Sequence, residues 1–231
     1  MSSQLLSWVL AGGLAVYLAI VAPWVGLRAR KRQEESDVPL SRRLALSIVE
    51  LWALAAVALL VVALSPGLTL ADVGVKPPTD PAVTYGIAVA LPVAMVPVVF
   101  FMRWLVKNGG KVPGTDAYSA LLPSTSGERW LAGGVAVSAG ICEELVYRGL
   151  LMGLGLALGL SPLLAAAAAV VVFALGHVYQ GRWGFLLSLL GGIAFTGIYL
   201  RTGSLIASIV VHVIVDIRSL VLTPRPERVA A

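Results

Sequence analysis

Two adjacent glutamates and an arginine, Glu143, Glu144 and Arg148, stand in the stretch SAGICEELVYRGLL (138–151), with apolar sequence on both sides. A charge at the centre of a membrane helix costs about 2.5–3.5 kcal/mol on insertion scales, so three within six residues require a compensating arrangement. Positions four apart share one face of an α-helix, which lets Glu144 and Arg148 form an ion pair. Glu143 falls on the adjacent face beside Tyr147, with no partner in its own helix. The chain has only two histidines, and both lie in or at the end of later apolar runs. His177 closes FALGH, with Phe173 one turn earlier; His212 opens HVIVD, with Asp216 one turn later.

Glu143, His177, His212 and Asp216 therefore form a set that three helices can aim at one interior. Such a set suits water activation. A carboxylate in a low-dielectric pocket can act as general base, and a nearby imidazole can orient the water or stabilise an oxyanion. The alternative is a divalent metal such as zinc held by Glu143, His177 and His212, since two imidazoles and a carboxylate with an open position make a common catalytic zinc set. The contiguous HExxH zinc helix is absent, which weakens the metal version. The glutamate-based version requires no cofactor.

The elements that must position these residues are membrane spans. Of 231 residues, 58% are hydrophobic and 13% charged, against roughly 45–50% and about 25% in soluble domains. Runs of about 20 apolar residues mark spanning helices, here at 5–27, 44–65, 81–106, 129–157, 162–178, 183–200 and 204–222. Pro92 and Pro97 predict a kink in the third span. Basic residues flank the spans, in RARKR (28–32), at Arg42 and Arg43, over 103–111 and in the C-terminal RPERVAA, so the net charge of +5 is a topology signal with no nucleic-acid patch. Seven spans with the N-terminus outside and the C-terminus inside are expected. Segment 28–43 reads as a solvated linker or interfacial helix, and the single cysteine excludes an intramolecular disulfide. The short loops and the Ala, Val, Leu, Gly and Arg bias point to a multi-pass protein of a bacterial cytoplasmic membrane, with lipid as its surroundings.

The motifs themselves resemble those of a known family. EELVYR is similar to the EExxxR motif, FALGH to FxxxH and HVIVD to HxxxN/D of the CAAX protease and bacteriocin-processing family, intramembrane endopeptidases related to the type II CAAX prenyl protease. LLPSTSGERW and YLRTGSLIASIVVH add to the resemblance, which covers about 120–220. It implies that Glu143 activates water with help from His177, that His212 and Asp216 support the oxyanion or the water, and that Glu144 and Arg148 brace the site. Asp216 stands where the eukaryotic branch has asparagine and donates a hydrogen bond only when protonated, so a role orienting His212 is equally open. Tyr147 stands where phenylalanine is frequent.

The expected architecture is an all-α polytopic bundle with a conical intramembrane cavity lined by the fourth, fifth and seventh spans. Residues 1–119 supply N-terminal helices and loops, 120–222 the catalytic core and 223–231 a cytoplasmic tail. Substrates would be membrane-associated proteins or peptides, lipidated ones included; oligomeric state is not readable. A non-proteolytic partner or bacteriocin-immunity protein of the same family is one rival. A proton-coupled transporter is another, against which stands the absence of an inverted repeat. Cys142 reads as packing, Glu50 as a headgroup-level or bracing residue, and Tyr179 and Trp183 as interface anchors.

Overall fold

A computed structural model describes residues 3–33, 38–112, 114–115 and 118–224, and among these the chain is helical with no strand. Positions 34–37, in the middle of the predicted linker, and the tail beyond Pro224 lie outside the described residues. The helices are α1 (Ser3–Val16), α2 (Ala22–Gln33), α3 (Leu40–Leu64), α4 (Pro81–Lys107), α5 (Ser126–Glu143), α6 (Met152–Ala157), α7 (Pro162–Leu175), α8 (Gly181–Thr202) and α9 (Leu205–Asp216). Three π-helical segments join or extend them: Tyr17–Val21 between α1 and α2, Glu144–Leu151 between α5 and α6, and Ile217–Leu222 after α9. The result is an all-α bundle of seven rods, as expected from the sequence.

Local signals explain the starts. Asp80 caps α4 by accepting from the Val83 amide at 3.1 Å, with Pro81 at the first position. Thr125 and Glu128 form a reciprocal capping box at α5, where Glu128 also accepts from the Ser124 amide at 2.8 Å. Ser161 and Ser204 cap α7 and α9. Gly203, in the left-handed region at φ 66°, ends α8 and lets the chain reverse into α9. α4 runs unbroken through Pro92 and Pro97.

Five helical segments are long and apolar enough to cross a membrane: Leu5–Ala29, Leu40–Leu64, Pro81–Lys107, Val178–Thr202 and Leu205–Leu222. The rod from α5 to α6 carries the charged motif. α7 is shorter than the predicted span 162–178, because the chain turns at Gly176 and His177 and passes through a 3₁₀ turn, Val178–Gln180, into α8. Its 14 residues reach about 21 Å at 1.5 Å per residue, less than the roughly 30 Å hydrocarbon core. Large apolar side chains such as Phe100, Trp130 and Leu163 face outward, and only Thr84 and Met102 of α4 are buried, so α4 is an outer rod. That apolar exterior matches a lipid solvent.

The core joins the two halves of the chain. Leu14, Ala55 and Val61 from the N-terminal helices pack in one cluster with Cys142, Leu150 and Phe173, and the Trp52 indole donates to Ser138 at 3.1 Å between α3 and α5. The loop before α4 is tied down as well: Leu205 N–H donates to the Gly74 carbonyl at 3.0 Å and Ser204 Oγ to that of Lys76 at 2.7 Å. The π-helical turn after α1 directs α2 onto the 178–180 turn, where Gly26 packs against Tyr179. Tyr179 is thus an internal contact, not an interface anchor. Glu50 has a bracing partner, the Tyr17 hydroxyl, which donates to it at 2.8 Å.

One close approach sets the site. A Cβ on Gly140 would stand 2.9 Å from the Val213 amide nitrogen and collide with the Val213 side chain, so α5 meets α9 backbone to side chain one turn before Glu144. Gly140→Ala is expected to force the two helices apart and lower stability by about 1–3 kcal/mol. Gly133→Ala, whose added methyl would meet nothing within 4 Å, serves as control. Thermal unfolding of both variants in nanodiscs checks this; equal midpoints would refute the close-approach argument.

Candidate active site

Glu143 is the last residue of α5, and Glu144 opens the π-helical segment that follows it. The wider turn at this point is a common feature of functional sites. Glu144 and Arg148 are both buried, and the Arg148 Nη1 donates to Glu144 Oε1 at 2.9 Å. α8 completes the guanidinium's environment: Nη2 donates to the Gly192 carbonyl and Nε to Thr196 Oγ1, each at 3.3 Å. The cation also lies 4.4 Å from the Phe173 ring centroid. Every nitrogen of Arg148 is therefore engaged.

The same Glu144 oxygen takes a second partner. His212 Nδ1 lies 2.8 Å from Glu144 Oε1. A carboxylate held ionised by an arginine accepts, so Nδ1 carries the proton and donates. The other nitrogen, Nε2, then points at two further carboxylates, 3.7 Å from Glu143 Oε2 and 3.7 Å from Asp216 Oδ2. Phe195 stacks on the imidazole at 4.5 Å and Phe173 meets it edge-on at 6.0 Å, which fixes the ring plane. Glu143 and Asp216 are 18% and 26% exposed at the side chain, whereas Glu144 is sealed. Of these three carboxylates only the first two keep exposed surface.

His177 follows the end of α7. Its Nδ1 lies 2.9 Å from the Phe173 carbonyl oxygen, an atom that only accepts, so this nitrogen too is the donor and Nε2 is left as an acceptor. The Phe173 ring lies 4.8 Å from His177 and 6.0 Å from His212, and so stands between the two imidazoles.

Glu143, His212 and Asp216 are thus brought together by contact, with His177 approaching across Phe173. Glu144 and Arg148 pair as the spacing requires. The sequence left two things unread. Glu144 orients His212 from the Nδ1 side, while Asp216 lies on the Nε2 side with Glu143. α8 supplies Gly192, Phe195 and Thr196 to a site assigned to the fourth, fifth and seventh spans; none of the three carries a charge that marks it in the sequence. Among the described residues no three His, Cys, Asp or Glu side chains come together as a set that could hold a metal ion.

Residues 125–218 match the family described as type II CAAX prenyl endopeptidase Rce1-like. The chain carries an Rce1-like segment. All seven residues of the three motifs fall inside the match, and the family resemblance read from the motifs is borne out over it. No curated protein matches the chain, and no solved structure does. Residues 125–218 are thus similar to that endopeptidase family, and with several helices long and apolar enough to cross a membrane the chain is an integral, multi-pass membrane protein.

Removing one partner of a buried ion pair strands the other charge, at a cost of about 3–5 kcal/mol. Arg148→Leu is therefore expected to lower the unfolding midpoint sharply, while Glu143→Gln, at a partly exposed position, leaves it near that of wild type. Thermal unfolding in nanodiscs measures both; a well-folded Arg148→Leu protein would show that Glu144 has another counter-charge.

Proposed function

We propose that this chain hydrolyses peptide bonds of membrane-associated proteins or peptides, lipidated ones included, at the edge of the bilayer of a bacterial cytoplasmic membrane. The observation that carries the reading is the placement of His212: Glu144 holds its Nδ1 at 2.8 Å, and its Nε2 faces Glu143 and Asp216 at 3.7 Å each. That spacing gathers one imidazole nitrogen and two carboxylates at the place where this reading puts the attacking water.

In this mechanism Glu143 removes a proton from the water as its oxygen attacks the scissile carbonyl carbon. The tetrahedral intermediate then collapses with cleavage of the C–N bond, and the proton on Glu143 passes to the leaving amine. His177 Nε2 accepts from the water and aligns it, which is the use its tautomer leaves open. Asp216 and His212 border the water on its far side. Glu144 and Arg148 act through His212 as positioning residues. The glutamate route needs no ion.

The test is mass spectrometry of a panel of farnesylated and plain peptides, incubated with the protein in nanodiscs, with and without chelator. Wild type is expected to cleave in both conditions. Glu143→Gln should lose about 10²–10⁴-fold in rate, the usual contribution of a positioned general base. Equal cleavage by Glu143→Gln would remove Glu143 as the base, and loss of wild-type cleavage in chelator would replace the glutamate route with a metal-dependent one. An uncleaved panel would favour a non-proteolytic partner.

A further inference from the structure

An ionised carboxylate has two oxygens that accept hydrogen bonds, and Glu144 loads only one of them. Oε1 takes both Arg148 Nη1 at 2.9 Å and His212 Nδ1 at 2.8 Å. Oε2 is sealed from solvent and has no partner in hydrogen-bond geometry. A bare acceptor in a sealed pocket is costly. It also leaves the group loosely held, because the terminal torsion of a glutamate is broad. A carboxylate gripped through a single oxygen is free to turn about it, and the imidazole that leans on that oxygen turns with it.

α9 brings a hydroxyl to this place. Ser208 is wholly buried and stands one turn before His212, so Ser208, His212 and Asp216 follow one another at four-residue steps along one face of the helix. Its side chain is within hydrogen-bonding reach of the Glu144 carboxylate. Its oxygen also lies 3.0 Å from the Leu205 carbonyl, to which it donates. That carbonyl opens α9 and already belongs to the helix's own ladder, so it gives up little when the hydroxyl turns away. A serine proton rotates to suit its surroundings, and a bond to a carboxylate is roughly twice as strong as one to a neutral carbonyl. A bare oxygen on Glu144 and a rotatable donor beside it thus meet from opposite helices.

We infer that Ser208 is a positioning residue: its hydroxyl donates to the Glu144 carboxylate, fixes that group in its plane and so keeps His212 in the tautomer with Nδ1 protonated and Nε2 turned to Glu143 and Asp216. Ser208 touches no reacting atom and works through two intermediaries, Glu144 and then the imidazole. Its consequence for turnover rests on the peptidase reading above, whereas its consequence for the His212 ring does not.

The chain has two histidines, so nitrogen NMR of histidine-labelled protein in nanodiscs reads the ring directly, and a His177→Gln sample assigns the remaining signals to His212. Wild type should show two well-separated His212 nitrogens, one protonated and one not. In Ser208→Ala the two signals should draw together as the tautomers exchange, and Ser208→Thr, which keeps the hydroxyl, should restore them. Against a farnesylated peptide, kcat of Ser208→Ala is expected to fall by about tenfold, short of the roughly 10²-fold that an ångström of misplacement costs. KM should stay within about twofold, since Ser208 does not meet the substrate. Unchanged His212 nitrogens in Ser208→Ala, or a kcat within about twofold of wild type, would overturn the inference and leave the peptidase reading intact. Equal loss in the alanine and threonine variants would mark Ser208 as a packing residue and overturn it as well. If wild type cleaves no peptide of the panel while Ser208→Ala still mixes the tautomers, the peptidase reading falls and the hold of Ser208 on His212 stands.

Discussion

One carboxylate oxygen, Oε1 of Glu144, accepts from Arg148 at 2.9 Å and from His212 at 2.8 Å inside a sealed pocket. Burial makes this arrangement unforgiving. With water excluded, a lone carboxylate is costly, a lone guanidinium more so, and each is tolerable only in the presence of the other. Every helix that touches the cluster is held to the geometry that satisfies it: α8 by the Gly192 carbonyl and Thr196, α7 by the Phe173 ring, and α9 by His212. The charges that appear misplaced in an apolar sequence are thus the joint at which four helices meet. The imidazole leaves that joint with one nitrogen committed and the other aimed at the two carboxylates that water can reach.

The glycines and caps serve the same end by different means. Gly140 lets α9 come within touching distance of α5, without which the Glu144–His212 bond has no span short enough to close. Gly203 reverses the chain so that α9 returns beside α8, and Ser204 anchors its first turn to the loop before α4. None of these residues lends a side chain to the charged cluster. They determine where His212 arrives.

Much of this was legible in the sequence, and the limits have physical causes. Charged residues in apolar runs stand out because the bilayer makes them expensive, so Glu143, Glu144, Arg148, His177, His212 and Asp216 were all visible, as was the pairing of Glu144 with Arg148 by helical spacing. Seven rods followed from hydropathy. The end of α7 did not, since FALGH is apolar to its last residue and only tertiary packing decides whether it stays helical. The widened turn at Glu144 was equally hidden: no residue in EELVYRGL demands it. The Glu144–His212 bond is a contact between residues 68 apart in sequence, and Gly192, Phe195 and Thr196 carry no charge to advertise their place. Polar residues in lipid announce themselves; the apolar and small residues that orient them do not.

The packing of α2 on the 178–180 turn divides the molecule in an unusual way. Residues 125–218 hold the motifs, but Gly26, well outside that stretch, presses on Tyr179, two positions from His177. The chemistry and its doorpost therefore sit on different parts of the chain and are free to diverge separately. A change in the tilt or length of the first helix reshapes the approach to His177 without altering any motif residue. In the proposed peptidase, substrate choice can therefore drift in the N-terminal helices while the motif residues stay constant, much as a lock is rekeyed without recutting its bolt.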